Sequence, residues 1–295
     1  MTNTSSTRNT DVASRISAPP ARVVIQGVRG AFHEMAARKF LGDDIEIVPA
    51  LSFRELFVRA NDPTQTDIAV LAIENSIAGS IIENYLLLEN NALHIVGEVF
   101  LPIHQNLMAL PGVKIEEIEE VHSHPMALAQ CAVFFEAYPH IRLVRSDDTA
   151  ASAAEIVQKG LRTRAAIASE LAAQLYHLDI IAPSIETDQE NYTRFYILQR
   201  DTPDDCLPEN ANKASVCFSL RHENGSLANI LNLLARAGAN LTKIQSLPLL
   251  GRPWEYRFFV DFTAKSGTLN AICAILKGNT HNFKTLGLYH HGFEG

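Results

Sequence analysis

The run Asp67-Ile68-Ala69-Val70-Leu71-Ala72-Ile73 is almost wholly apolar and passes directly into the polar run Glu74-Asn75-Ser76-Ile77-Ala78-Gly79-Ser80. A strand that is apolar on both faces must be covered on both, which is the condition of a buried parallel sheet flanked by helices. Open sheets of that kind gather their ligands beyond the carboxyl ends of the strands, where the polar run lies.

The surrounding chain repeats this alternation. Arg22–Gln26 is a short β-branched run stopped by Gly27, and after Gly30 the residues Met35, Ala36, Phe40 and Leu41 recur at helical spacing. Ile45–Val48 predicts a second strand, and Ser52 caps a helix reaching Ala60. After the polar run come a helix through Glu89, a segment His94–Pro102 and a strand around His104–Leu110. Ser123-His124-Pro125 precedes a helix over Met126–Tyr138 whose apolar face includes Leu128, Cys131, Phe134 and Phe135. Further on, strands at Ile141–Val144, Arg164–Ala168 and Ile180-Ile181 alternate with helices capped at Asp148-Thr149 and at Ser169. Two successive α/β units, with Thr193–Leu198 returning to the first, predict two lobes whose polar turns face a cleft.

Asp201–Asn212, with two prolines and four acids, reads as a linker. Beyond it the order becomes strand, helix, strand, strand, helix, strand, a ferredoxin-like βαββαβ unit. Trp254, in its second half, is expected to pack rather than bind. Met1–Pro20, rich in Ser, Thr and Asn, reads as a disordered leader. A formal charge of −8 argues against a nucleic-acid binder with a basic face, so an anionic ligand requires locally placed arginine or backbone donors. The four cysteines lack ligand or disulfide spacing, which predicts no metal and a reducing, cytoplasmic setting. No apolar run approaches the roughly 18 residues of a membrane span.

Such donors occur in Asn191-Tyr192-Thr193-Arg194-Phe195. A guanidinium holds a carboxylate by paired charge-assisted hydrogen bonds, and a neighbouring hydroxyl can share a proton without adding charge. A turn cap beside a solvated arginine accounts equally well for these residues alone. A dinucleotide-binding fold is excluded: Gly27-Val28-Arg29-Gly30 lacks the full Gly-x-Gly-x-x-Gly, and Pro49-Ala50-Leu51 stands where an acid should end the second strand.

Taken together, Gly27-Val28-Arg29-Gly30, Ile73-Glu74-Asn75-Ser76 with Gly79, Ser123-His124-Pro125, Asp148-Thr149-Ala150, Ala165–Ser169 and Asn191–Phe195 occur in an order that resembles the prephenate dehydratase family. Gly225-Ser226-Leu227 and Asn240–Ile244 are similar to the ACT regulatory domain of that family. The resemblance implies an α/β fold with a two-lobed, type II periplasmic-binding-protein-like catalytic domain over 21–200. Lobe 1 takes about 21–102 and 188–200, and lobe 2 about 103–187. A linker over 201–212 and an ACT domain over 213–295 follow.

It further implies the decarboxylating dehydration of prephenate to phenylpyruvate without cofactor or metal, since forming an aromatic ring supplies the driving force. Thr193 is expected to assist the leaving oxygen and Arg194 to hold a carboxylate, with Glu74 and His124 as supporting groups or proton sources. Asn75, Ser76, Asn191, Phe195, Thr149 and Ser169 are expected around the substrate, although N-capping explains Thr149 and Ser169 about as well. His33 stands where the family commonly has a hydroxyl residue, and is expected either to replace that contact or to face solvent. Phenylalanine is the implied effector, near Gly225, Ser226, Leu227, Asn240 and Leu241. Gln245-Ser246-Leu247-Pro248 departs there from the usual Glu-Ser-Arg-Pro. The exposed edge of a ferredoxin-like sheet predicts a homo-oligomer. The alternatives are arogenate as substrate, or a non-catalytic two-lobed carboxylate sensor.

Overall fold

The computed structural model describes residues 20–200, 210–249 and 254–292. The expected leader apart from Pro20, the 201–209 part of the linker, and Cys206 lie outside them. The described chain divides into two compact units, one of Ala18–Gly79 with Phe100–Phe195, the other containing Ser80–Val99 and Tyr196–Gly295.

In the first unit, β1 (Ala21–Gln26), β2 (Ile45–Ala50) and β3 (Ile68–Asn75) are parallel in the order β2-β1-β3, joined by α1 (Phe32–Leu41) and α2 (Phe53–Ala60). Residues Ile68–Ile73 are all buried, as their two-sided apolarity requires. Ser52 caps α2 by accepting from the Glu55 amide at 3.2 Å. The chain then passes through β4 (Gly79–Ser80), α3 (Ile82–Glu89) and β5 (His94–Pro102). A second sheet contains β6 (Asn106–Ala109), β7 (Glu120–Ser123), β8 (Arg142–Arg145), β9 (Arg164–Ala168) and β10 (Asp179–Ala182), in the order β10-β6-β9-β7-β8. β9, β7 and β8 run parallel, and β6 lies antiparallel to β9 and β10.

The single helix expected over Met126–Tyr138 is instead two short ones, α4 (Pro125–Gln130) and α5 (Ala132–Phe135), meeting at Cys131. A tertiary contact explains the break. The Gln130 carbonyl, which a continuing helix would give to the Phe134 amide, accepts from the Thr187 amide at 2.8 Å, and Phe134 turns back to the Cys131 carbonyl. Leu128, Cys131 and Phe135 still reach the core of the second sheet, with Phe134 packed against it. α6 (Thr149–Lys159) and α7 (Glu170–Tyr176) cover that sheet, capped by Asp148 and Ser169.

The Gly27–Gly30 turn meets both of these caps. At Gly30 (φ +87°) a β-carbon would lie 2.8 Å from Ala172 Cα, and at Gly27 (φ +98°) one would lie 2.5 Å from Asp148 Oδ2. Both backbone angles favour glycine, and at Gly30 the approach to the Ala172 main chain demands it.

β11 (Tyr192–Gln199) carries the chain from the first unit into the second. There β12 (Lys213–Ser219), α8 (Ser226–Arg236), β13 (Asn240–Pro248), β14 (Tyr256–Thr263), α9 (Leu269–Asn279) and β15 (His281–Tyr289) form the expected βαββαβ order. The four strands are antiparallel in the order β13-β14-β12-β15, with Val216, Phe218, Val260 and Phe262 in the core beneath the helices.

Ser80–Val99 packs within this same unit. β5 pairs with β15 at Ile95–Gly287, and Tyr85 meets Phe259 edge-on at 5.1 Å. Lys284 Nζ caps the end of α3 by donating to the Glu89 and Asn91 carbonyls at 2.7 and 2.5 Å. Arg257 pairs with Glu89. Lys213 Nζ holds both oxygens of the buried Glu98 at 2.8 and 3.0 Å.

Candidate active site

The polar groups expected around a ligand converge where the end of β3 meets the start of β11. The backbone fixes this meeting: the Ser76 amide donates to the Tyr192 carbonyl and the Ile103 amide to the Asn191 carbonyl, each at 2.8 Å. Ser76 Oγ both donates to the Glu190 carbonyl (3.1 Å) and accepts from the Tyr192 amide (2.9 Å). Its hydroxyl therefore serves to align β11.

Asn75 is the hub. Its Oδ1 accepts from the Ile77 and Ala78 amides at 3.1 and 2.8 Å, so the opposite face of the amide must present Nδ2. Nδ2 donates to Asn191 Oδ1 (2.7 Å), the Tyr192 carbonyl (3.1 Å) and Thr193 Oγ1 (3.0 Å). With one lone pair of the Thr193 oxygen taken by this donor, the threonine's own O–H is directed elsewhere as a donor. This is the polarisation that a hydroxyl assisting a leaving oxygen needs. Asn191 is wholly buried and passes the network on, its Nδ2 donating to Gln130 Oε1 at 3.2 Å. Gln105 Nε2 reaches the same oxygen at 3.3 Å.

Arg194 is buried, its guanidinium 3.8 Å from Glu74 Oε2 and 5.7 Å from the centre of the Phe100 ring. The guanidinium thus lies within cation–π range of an aromatic ring, with a partly exposed carboxylate near it. Glu74 thus stands beside Arg194. His124 is exposed, and its Nδ1 accepts from the Met126 amide at 3.2 Å, capping its own helix.

Other expected contacts are occupied by the fold. Ser169 Oγ is buried, donating to the Gly30 carbonyl at 2.5 Å and accepting from the Ala172 amide at 3.1 Å, which makes it a cap and a brace of the first turn. Thr149 begins α6 behind the Asp148 cap, whose Oδ1 accepts from the Ala151 amide at 2.7 Å. Burial pushes the Asp148 carboxyl above its usual range. Phe195 lies in the core with its ring 5.0 Å from that of His33.

His33 itself corrects the expectation of a substrate contact or a solvent-facing residue. It is buried, and its Nε2 accepts from the Ala72 amide at 3.3 Å. Desolvation pulls its pKa down to about 3. The folded value lies below the ordinary 6.5, so this contribution to stability is complete above pH 6.5 and is lost as pH falls toward 3, by about 1.4 kcal/mol per pH unit. Denaturation between pH 4 and 6.5 should show a slope shallower by that amount in His33→Gln than in the wild type, and parallel curves would refute the assignment.

Sequence reasoning missed Gln105 and Gln130. Both sit in stretches that read as strand and helix, with no motif to distinguish them from surface amides. Thiol chemistry is disfavoured nearby, since burial pushes Cys131 up to about 12.

In the second unit, a cavity of about 130 Å³ is bounded by Arg221, Glu223, Ser226, Leu227, Tyr256 and Phe258. Trp254 also lines it and is 76% exposed, so it is a cavity wall and not the packing residue expected. Gly225, with φ +80°, turns the chain into α8 beside it. Asn240 and Leu241 are exposed on the edge strand β13 and do not bound the cavity.

The model of the family "PDT: Prephenate dehydratase" matches residues 23–203. Arogenate dehydratase/prephenate dehydratase 2 of Arabidopsis thaliana, described as chloroplastic, is 43% identical over 256 residues, covering 82% of this chain and 65% of its own length. This chain therefore spans just under two thirds of that relative. Among solved structures, the prephenate dehydratase of Arthrobacter aurescens in complex with L-Phe aligns with TM-score 0.81 and 29% identity, over 92% of this chain and 90% of that one. A protein described as GqqA, a novel type of quorum quenching acylase, aligns with TM-score 0.82 and 29% identity, over 92% and 98% of the two chains. With its Asn75–Thr193–Arg194 constellation inside the matched region, this chain belongs to the prephenate dehydratase family.

Proposed function

We propose that this chain is a carbon–oxygen lyase acting on prephenate, releasing carbon dioxide and water to give phenylpyruvate for phenylalanine synthesis. The observation that carries this reading is the Asn75 amide fixed against Thr193 Oγ1 at 3.0 Å, with the Arg194 guanidinium beside it in the chain. In the reaction, the bond from ring carbon to carboxylate breaks and its electron pair becomes ring π-bonding as the C–O bond opposite opens. The departing oxygen must gain a proton to leave as water. Thr193 donates a hydrogen bond to that oxygen, solvent supplies the net proton, and Arg194 holds a carboxylate. No residue in this scheme requires a cofactor.

Arogenate, with an amine where prephenate has a ketone, is the competing substrate, named beside prephenate in the description of the Arabidopsis relative. Phenylalanine is the proposed effector, with the cavity beside Ser226 and Leu227 as its site. Arg221 and Glu223 match its two charges, and Tyr256 and Phe258 match its ring. Leu247 is buried and Gln245 bonds the Ser246 carbonyl, so neither supplies the acid or base that the departed motif would have offered. The strand β13, last in the order of the described strands and with Leu241 and Ile244 exposed, is proposed to pair with a second copy. We place the protein in the cytoplasm.

The test is a purified full-length chain given prephenate and arogenate separately and together, followed by phenylpyruvate absorbance and phenylalanine release, with and without added phenylalanine. Turnover of prephenate with the higher kcat/KM is expected. Preference for arogenate would transfer the assignment to the amino acid. Binding of either without turnover would leave a sensor. Cleavage of an acylated quorum signal in place of both would favour the activity named for GqqA.

A further inference from the structure

The Asn75 amide takes its orientation from the Ile77 and Ala78 amides, and those two amides belong to a turn over 76–79 whose residues are all exposed. At Gly79 a β-carbon would meet nothing within 4 Å. Side-chain packing is therefore a weak hold on this turn, and its shape depends on what fixes its two ends. At the start, Ser76 is bonded to β11 through both its amide and its hydroxyl. At the end stands β4, two residues long and paired with β3. So short a strand gains little from pairing alone.

A side chain from β13 supplies the second hold. Lys243 is half-buried, and its Nζ donates to Ser80 Oγ at 2.7 Å across 163 residues of sequence. A hydrogen bond from an ammonium is about twice as strong as one between neutral groups. Ser80 and Lys243 lie in the same unit, and Ser80 is joined by a peptide bond to Gly79, so the lysine fixes the point at which the turn must end.

We infer that Lys243 is a positioning residue for the dehydration step: it clamps Ser80, the clamped turn presents the Ile77 and Ala78 amides to Asn75 Oδ1, and the Asn75 amide so oriented directs the Thr193 hydroxyl. The inference rests on the dehydratase reading above. It makes a residue of the βαββαβ unit part of what aligns the reacting groups, through one side-chain bond and without contact with substrate. When the clamp is lost, Asn75 can turn away from Thr193 Oγ1, and the hydrogen bond to the leaving oxygen weakens. Arg194, the proposed carboxylate holder, lies outside the turn, so the loss falls on kcat and spares KM.

Steady-state kinetics with prephenate on the full chain, comparing wild type, Lys243→Met, Lys243→Arg, Ser80→Ala and the double variant Lys243→Met with Ser80→Ala, test this, with thermal melts alongside. Methionine keeps the stem and removes the donor, so kcat should fall about tenfold with KM changed less than about twofold. Ser80→Ala removes the other half of the same bond and should cost as much, and the double variant should be no more than about threefold slower than either single one. Arginine keeps a charged donor, so kcat should stay within about threefold of wild type. Either single deletion at wild-type kcat, an arginine variant as slow as the methionine one, a loss carried by KM, or a double variant slowed by the product of the two single losses overturns the inference. If Lys243→Met does not fold, Ser80→Ala decides alone: a tenfold loss of kcat supports the clamp, and wild-type kcat refutes it. Wild-type protein that turns over neither prephenate nor arogenate overturns the dehydratase reading and this inference with it, whereas an active wild type beside unaffected variants overturns the inference alone.

Discussion

Thr193→Ala is expected to lower kcat for prephenate by about 10²–10³-fold, the range associated with losing one positioned hydrogen-bond donor to a developing charge. KM should move far less, because Arg194, the group proposed to hold a carboxylate, remains buried against Phe100 with Glu74 beside it. Folding should be little affected. Thr193 is half-buried near the start of β11, and its side-chain bond to Asn75 is one of three contacts that Asn75 Nδ2 makes. Thr193→Ser keeps the oxygen and should recover much of the rate, while Thr193→Val keeps the shape without the hydroxyl and should not. An alanine variant with full kcat would mean that the leaving oxygen takes its hydrogen bond from another group. The most direct alternatives would be solvent or Asn75 Nδ2, whose bond to Thr193 Oγ1 that variant removes.

Lys213→Met should destabilise the protein by about 3–5 kcal/mol, the usual consequence of leaving one partner of a buried ion pair uncompensated. Lys213 and Glu98 have side chains 2% and 0% exposed, and the ammonium meets both carboxylate oxygens. The Gly292 amide donates to Glu98 Oε1 at 3.0 Å and His291 Nε2 lies 3.9 Å from the same oxygen, but neither meets both carboxylate oxygens as the ammonium does. Denaturant unfolding of the full chain measures the loss. The double variant Lys213→Met with Glu98→Leu should regain most of it, because no buried charge then remains. A single variant within about 1 kcal/mol of wild type would show that Glu98 is protonated or hydrated in the fold. The pair joins β5 to β12, residues more than a hundred apart in the chain, and belongs to the set of contacts that seats Ser80–Val99 within the second unit.

The elements were legible wherever local pattern sufficed. The apolar run at Ile68–Ile73 predicts a strand buried on both faces, Ser52, Asp148 and Ser169 mark helix starts, and the βαββαβ order follows from alternating periods. The convergence of Asn75, Asn191, Thr193 and Arg194 followed from their placement at the ends of strands. The helix over Met126–Tyr138 failed because its interruption comes from Thr187, nearly sixty residues away, competing for the Gln130 carbonyl.

By itself the sequence determined the alternation of strands and helices, the second small domain and the cluster of polar turns, because these depend on periodicity and on residues a few positions apart. Only the tertiary structure decided what each polar atom does. It turned His33 into a buried neutral base, committed Ser76 and Ser169 to bracing backbone, opened a cavity beside Trp254, and gave the amides from Asn75 to Gln105 a single direction. A side chain's chemistry is set by which donors, acceptors and water-excluding neighbours reach it, and those neighbours come from distant parts of the chain.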